Sequence, residues 1–586
     1  MTTPHRTNVS NVLIIGAGGG GLRAAIAAHE AGSEVTIVTK RGRTDAHTVL
    51  AAGGINAALG TVDPEDSWQQ HFADTVHEGY FLSDSETVQL MVREAPAALL
   101  ELADWGADFA RLPDGRLDQR FFGAHTYRRT AYAGDYTGRE IVKTLAHQVI
   151  DRGIPIHENQ YVSHLLVSGR GAKAVCFGVL AFDLATGART LYLADAVILA
   201  AGGHTRIWRR SSSRRDENTG DAMALALRAG VELADMELVQ FHPTGMVAPE
   251  TMAGTLVTEA VRGEGGRLYN AQGERYMARY DPERMELSTR DRVALANYTE
   301  IVEGRSGPNG GVFLDISHLP KETIIAKLPR MYRQFLEAQM LDISKEKMEV
   351  APTAHYSMGG VVIDPATHAT RVTGLYAVGE GTSGLHGANR LGGNSLAEIV
   401  VFGRHAGEAA AAHSRALPAQ TRDAGTVAAA HAELDALIRP GEELARPLQR
   451  AIRNAMWETA GVVRDEAGLR HGRERLAQIR QASRRLDVRP NSEGYKDLAL
   501  ALDLRGSLLA AEATLLSALA RTESRGAHQR RDYPKTDPVL RVNFIVELGQ
   551  QGGLVLSRRP VKPVPDELRE WTEGQEELAV AGRLLE

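Results

Sequence analysis

The sequence predicts an α/β chain: a mostly parallel sheet assembled from separated segments, an α+β insertion, then a helical bundle and a small C-terminal domain. Three observations carry this. The chain opens on strand, glycine turn, helix and strand; two more apolar runs end in glycine far downstream; and the texture changes to long helical patterns after about residue 420. With 586 residues, 24% charged and 43% hydrophobic, the composition is that of an ordinary globular chain. The formal net charge of −6 gives no basic surface for nucleic acid, and no nucleic-acid partner is expected. No apolar run reaches the ~18 residues of a membrane span. Cys176 is the one cysteine, which excludes an internal disulfide, a Cys-based zinc site and an iron–sulfur cluster held by this chain alone. No metal site is expected. Met1 to Asn11 is short and polar, unlike a secretory signal.

The first element is Val12-Leu13-Ile14-Ile15, followed by Gly16-Ala17-Gly18-Gly19-Gly20-Gly21, the Ala-rich helical stretch Leu22 to Ala28, and the apolar run Glu34 to Val38. Gly16, Gly18 and Gly21 take the three places of a dinucleotide-binding turn. There the first glycine allows the tight turn, the second lets backbone approach a pyrophosphate, and the third lets helix and strand pack closely. The helix N-terminus offers free N–H groups to phosphate. A tight turn serving only the fold is the alternative. A nicotinamide dinucleotide would want an acidic residue at the end of the second strand, where this chain has Thr39-Lys40. Asp195 to Gly203 and Gly374 to Gly381 are the two later strand–glycine elements, so the residues between about 241 and 354 read as the insertion. Leu448 to Val463 and Leu498 to Leu519 are helical patterns, and Leu540 to Leu548 and Gly553 to Leu556 are strand-like. Cys176 reads as a buried strand residue. Arg209-Arg210 and Arg214-Arg215 read as a solvated face, with a docking surface for another subunit as the alternative.

Three clusters suit chemistry. Arg43 to Gly54 carries His47 ahead of the paired Gly53-Gly54, and a histidine beside such a turn can meet a flavin ring; a polar loop histidine is the alternative. Gln240 to Gly245 is followed by Thr255 to Gly266, and His355 to Gly360 by His386 to Leu396. Each pair joins a histidine to glycines and to hydroxyl or guanidinium donors. Two histidines and an arginine fork would suit a small molecule with a carboxylate at each end. Glycine loops serving the fold alone are the alternative.

On the Gly-rich opening, Ala46-His47-Thr48, Gln240 to Gly245, Thr258-Glu259, Thr289-Arg290-Asp291, His355-Tyr356 and His386 to Leu396, the chain resembles the flavoprotein subunits of succinate dehydrogenase and fumarate reductase, over about Asn11 to Asp537. The resemblance implies a Rossmann-like FAD-binding domain in two parts (1–240 and 355–420), an α+β capping domain (241–354), a helical domain (421–537) and a C-terminal domain (538–586). It also implies roles. His47 matches the histidine bonded covalently to the flavin 8α-methyl. His242 with Thr258, and His355 with Arg390, match the two carboxylate-binding pairs, and Phe122 resembles an aromatic packed over the substrate. Arg290 matches the proton carrier, with Glu259 and Arg262 as its relay to solvent. Gly16, Ala17, Gly18, Gly19, Gly20, Gly21, Thr39, Lys40, Thr48, Gly53, Gly54 and Asp221 match cofactor contacts. Glu380, Asn394, Ser395 and Leu396 match contacts to the ribityl and isoalloxazine region.

In that chemistry succinate gives a hydride to flavin N5 and a proton to the arginine. An arginine holds its proton to above pH ~12 in water, so a carboxylate such as Glu259 must exchange protons with it quickly. The implied partners are an iron–sulfur subunit with a membrane anchor and quinone behind it. The chain is expected to sit peripherally on the cytoplasmic face of the membrane. This sequence departs from the family at Ala52, where a glutamine is usual, at His204-Thr205 and at Arg139. Fumarate reduction as the working direction is one alternative. An L-aspartate oxidase, which lacks the flavin-bonding histidine, is another, and a non-catalytic FAD-binding module a third.

Overall fold

A computed structural model describes residues 5–420, 422–491 and 494–573. Met1 to Pro4 of the polar N-terminal segment and the end of the expected C-terminal domain, residues 574–586, lie outside the described residues. The fold is mixed α/β, and it begins as the sequence predicts. Strand β1 (His5–Ile15), helix α1 (Gly19–Glu30) and strand β2 (Val35–Val38) form the first unit, with β1 and β2 parallel. The sheet has seven strands. Arg189–Leu199 runs parallel to the other side of β1. This long strand divides its free edge: its first half pairs antiparallel with Val175–Asp183, and its last three residues pair parallel with Leu375–Ala377. The three strand–glycine elements of the sequence are thus neighbours, although some 360 residues separate the first from the last.

Helix Asn394–Ala416 covers the sheet beside α1. The two helices approach closely because small residues line the seam. A Cβ on Gly407 would come 2.3 Å from the Ala24 carbonyl oxygen, and one on Gly403 would come 2.9 Å from that of Gly20. Val12, Ile14, Leu22, Ile26, Val400 and Phe402 fill the core between them, each fully buried. Burying such a side chain contributes ~1.5–3 kcal/mol.

A second sheet, antiparallel, joins Val239–Met246, Met348–Ser357, Val312–Asp315 and Arg267–Tyr269. Helix Arg290–Val302 packs on it. Further on, helices Ala445–Thr459, Glu466–Ser483 and Lys496–Ala520 bundle around Leu448, Ile452, Met456, Leu469, Leu476 and Leu515. The first ends before the predicted Val463. Ala460 leaves the helical region, Val463–Arg464 pairs with Gln529–Arg530, and Asp465 caps the next helix by accepting from Gly468 N–H. In the tail, Pro538–Leu540 forms a turn, so the strand starts at Val542 and runs to Leu548. That strand pairs with Leu233–Ala234, which ties the tail to the main body. Cys176 is buried in a strand, as expected. Among the described residues no helix is long and apolar enough to cross a membrane.

Candidate functional site

The C-terminal ends of the parallel strands open into one long cleft. Such sheets bind ligands at this edge, where helix N-termini and glycine turns face outward. Gly16 makes the turn. Its φ is +110°, and a Cβ would meet the Ala200 carbonyl oxygen at 2.3 Å. Gly21 is fixed by packing instead, since a Cβ there would meet the Gly16 carbonyl oxygen at 2.1 Å. Gly18 caps α1 without a side chain. Thr48 Oγ1 accepts from the Gly19 N–H at 3.2 Å. The other first-turn N–H groups have no intrahelical partner and are left to the cleft. A phosphate suits them, so the residues present fit a dinucleotide.

At the same end, Lys40 Nζ lies 2.7 Å from Asp221 Oδ2 and 3.7 Å from Asp503 Oδ1. Burial, and then the Asp221 charge, push the Asp503 carboxyl up to about 7 even though Lys40 opposes this. Asp503 comes from the helical bundle and had no signal in the sequence. Thr39, Gly53, Gly54, Glu380, Ser395 and Leu396 also line the cleft. Glu380 accepts from the Ser357 N–H and the Asn218 side chain, at 3.1 Å each.

His47 opens a short 3-10 turn, His47–Leu50, in the cleft wall. Its Nδ1 is 3.2 Å from Glu217 Oε2. Burial works against charging this ring, yet the carboxylate prevails and its pKa stands above the ordinary imidazole value. Glu217 is itself held down to about 2: burial opposes this, but His47 and Arg214 outweigh it. Arg214 is therefore no part of a purely solvated face. It clamps the turn by pairing with Glu217 at 2.6 Å and with Asp45. Arg209 and Arg210 instead lie over the Trp457 ring, at 5.8 and 5.7 Å from its centroid.

The far end of the cleft gathers Phe122, His242, Thr258, Glu259, Arg290, His355 and Arg390 from six separate segments. Arg290 donates from Nε to Glu259 Oε2 at 2.7 Å and from Nη1 to Gln240 Oε1 at 3.0 Å. Arg390 donates to the same Gln240 oxygen at 3.1 Å, to Ser395 Oγ at 3.1 Å, and lies over the Tyr356 ring. Burial, and then the Arg290 charge, push Arg390 down to about 10. The rings of His242 and His355 meet edge to face, 5.2 Å between centroids. Burial and neighbouring cations hold both well below the usual imidazole range, so both are neutral at pH 7. The positive charge of the pocket is carried by guanidinium groups. Neutral imidazoles there act as hydrogen-bonding groups.

Two expected site residues stand behind the wall. Asn394 lies at a helix N-terminus, but its side chain bonds Asn56, His71 and Thr75 in a buried network. Arg262 is also fully buried. It reaches the Glu286 carbonyl oxygen at 2.5 Å and approaches Glu259 at 3.7 Å, so it ends against protein rather than at solvent. Sequence reasoning missed Glu217, Asp503 and Gln240. Only Gln240 carried a signal, as the first residue of the Gln240 to Gly245 motif. Ala52 lines the cleft with no side-chain amide. Arg120 donates to the Gly53 carbonyl oxygen beside it and lies over Phe122.

Comparison with known proteins agrees with this geometry. The model of the FAD binding domain matches residues 11–396, and that of the fumarate reductase flavoprotein C-terminus matches residues 449–568. The chain is 45% identical over 531 residues to one of the subunits of the fumarate reductase (CoM/CoB) of Methanothermobacter marburgensis, covering 90% of this chain and 95% of that one. It is 36% identical over 575 residues to the succinate dehydrogenase flavoprotein subunit of Rickettsia bellii, covering 94% and 95%. The solved structure of Mycobacterium smegmatis Sdh1 in complex with UQ1 superposes with a TM-score of 0.87 at 40% identity, covering 98% of each chain. The cleft's glycine turn, its paired arginines and these matches together place the chain in the succinate dehydrogenase and fumarate reductase flavoprotein subunit family, as an FAD-binding oxidoreductase.

Proposed function

We propose that this chain interconverts succinate and fumarate, working as the flavoprotein subunit of a succinate:quinone oxidoreductase in the direction of succinate oxidation. The observation that carries the reading is the pair of arginines held by one amide, Arg290 and Arg390 on Gln240 Oε1, with two neutral histidines and Thr258 around them. Arg390 with His355 would clamp one carboxylate of the substrate, and His242 with Thr258 the other. Phe122, fully buried on the cleft wall, excludes water from the same space. Arg290 would take the proton from the substrate carbon. Glu259 is suited to relay it: it lies at 2.7 Å and is held ionised by Arg290 and Arg262 against its burial. FAD, when bound, supplies the hydride acceptor. The residues proposed to hold it are Gly16, Ala17, Gly18, Gly19, Gly20, Gly21, Thr39, Lys40, Thr48, Gly53, Gly54, Asp221, Glu380, Ser395 and Leu396, with His47 as the covalent link.

Electrons would leave to a separate iron–sulfur subunit, since Cys176 alone can hold no cluster. A membrane anchor and quinone would follow, with this chain peripheral on the cytoplasmic face. Fumarate reduction is the second reading, and the name of the 45% identical Methanothermobacter relative favours it. The test is purification from membranes in mild detergent, followed by assay of both directions. Co-purification with a cluster-bearing protein and faster succinate oxidation with quinone support the first reading. A faster fumarate reduction supports the second. A chain found alone and active with oxygen on L-aspartate overturns both.

A further inference from the structure

His47 stands in the cleft wall with one ring nitrogen already committed. Nδ1 faces Glu217 Oε2 at 3.2 Å, whereas Nε2 makes no hydrogen bond among the described residues. The carboxylate cannot swing away. Glu217 is buried, at 5% side-chain exposure, and Arg214 Nη2 holds its Oε1 at 2.6 Å. The backbone N–H of Arg214 donates to Oε2 at 3.1 Å, and Arg41 Nε lies 3.7 Å from Oε1. Arg214 is anchored in turn by Asp45 and by the Ala46 carbonyl oxygen at 3.3 Å, the two residues just before His47. The ring and its carboxylate are thus fixed to one another by a closed set of contacts. A carboxylate on Nδ1 sets the tautomer with the proton on Nδ1 and the lone pair on Nε2, and it stabilises positive charge on the ring.

We propose that Glu217 is the positioning residue for covalent attachment of the flavin. It keeps the proton on His47 Nδ1, leaves the Nε2 lone pair to the cleft, and offsets the charge that builds on the imidazole as the bond forms. The inference rests on the reading of His47 as the flavin-bonding residue. The bond that forms joins Nε2 to the 8α-methyl carbon, and one C–H bond of that methyl breaks. Its hydrogen leaves as a proton to water, and its electron pair passes to the flavin. The alkylated imidazole releases its Nδ1 proton past Glu217 to solvent. Dioxygen takes up the two electrons and two protons as hydrogen peroxide, which restores the oxidised flavin.

The test follows attachment itself. The full-length protein, freed of FAD by expression under riboflavin limitation, is mixed with FAD in air. The fraction of chain carrying flavin is then read over time by intact mass and by flavin fluorescence after denaturation. Glu217→Gln keeps the shape and removes the charge, and Glu217→Ala removes both. Loss of a carboxylate that orients a histidine costs ~10–100-fold, so attachment should slow by that factor in Glu217→Gln and further in Glu217→Ala. Reversible FAD binding, read by fluorescence quenching, should persist in both. The acid limb of the attachment rate should also move to lower pH in Glu217→Gln. Two carboxylates, Glu217 and Glu380, favour protonation of the ring against burial and Arg214, and the one bonded to it is lost. A Glu217 that only shapes the loop, with no charge coupling to the ring, would leave that limb in place. Glu217→Gln reports even where Glu217→Ala fails to fold, and a thermal melt identifies that case. A wild type that carries the adduct, with variants matching it in rate and pH profile, overturns the role of Glu217. A wild type with no adduct overturns the reading of His47, and this inference with it.

Discussion

Replacing Arg290 by lysine tests the proton carrier directly. The guanidinium spans two partners, Glu259 Oε2 at 2.7 Å and Gln240 Oε1 at 3.0 Å, from two different nitrogens. A lysine ammonium is a single point donor on a shorter reach and cannot serve both. One charge-assisted hydrogen bond is lost, worth ~1.5–3 kcal/mol. The donor that faces substrate is also displaced, and a misplacement of ~1 Å alone can cost ~10²-fold. General acid–base catalysis contributes ~10²–10⁴-fold, so kcat should fall within that range, a barrier increase of ~2.7–5.5 kcal/mol. Binding should change far less, because Arg390, His355, His242 and Thr258 are untouched. The assay is steady-state succinate oxidation with an artificial electron acceptor, with the dissociation constant taken separately from the perturbed flavin absorbance. A kcat within ~5-fold of wild type would remove Arg290 from the chemistry.

Arg390→Lys should act the opposite way. It gives up the bonds to Ser395 and Gln240 and the stacking on Tyr356, so KM should rise ~10–100-fold with a smaller change in kcat. His47→Ser should fold and bind FAD reversibly, with no colour left on the acid-denatured chain, and should lose succinate oxidation more than fumarate reduction. Gly16→Ala forces a side chain into φ +110° and to 2.3 Å from the Ala200 carbonyl oxygen. Strain and overpacking of ~1–3 kcal/mol each should show as a lower melting temperature and weak FAD binding. The buried neutral histidines should also withdraw stability on acidification from pH 7 to pH 5. His125, His204 and His368 are pushed down to about 4 by burial. They stay neutral in the folded chain but charge in the unfolded one below its ordinary value of ~6.5, so their contribution is present above that pH and is lost below it. Asp235 and Asp503, pushed up to about 7 by burial, work in the other direction as the pH falls. Other buried carboxyls, Glu78 and Glu380 among them, are raised as well, so the histidine part is read by difference. The change in melting temperature from pH 7 to pH 5 should be less unfavourable in His204→Asn than in the wild type, and an equal change would contradict it.

Arg290 entered only through the family resemblance, but the glycine turn at Gly16 to Gly21, its flanking strands and helix, and the clusters around His242, Thr258, His355 and Arg390 were legible in the sequence. Each depends on a few consecutive residues whose conformation follows from local chemistry. A glycine turn needs no partner to be recognisable, and an apolar run before it must be buried wherever the chain goes. The sequence also showed that three strand–glycine elements belong together. It did not show that Arg189–Leu199 serves Val175–Asp183 with one half and Leu375–Ala377 with the other.

What tertiary structure alone decided was which side chains meet. Glu217 reaches His47 across 170 residues of sequence, and Asp503 reaches the Lys40–Asp221 pair from the helical bundle. Asn394, expected at the cofactor, turns into a buried network, whereas its neighbour Ser395 lines the cleft. On a helix, successive side chains point about 100° apart, so adjacent residues of one motif face different surroundings. The neutrality of His242 and His355 was equally out of reach. It comes from burial beside arginines on other segments, and a charge state is a property of the surrounding space rather than of the residue.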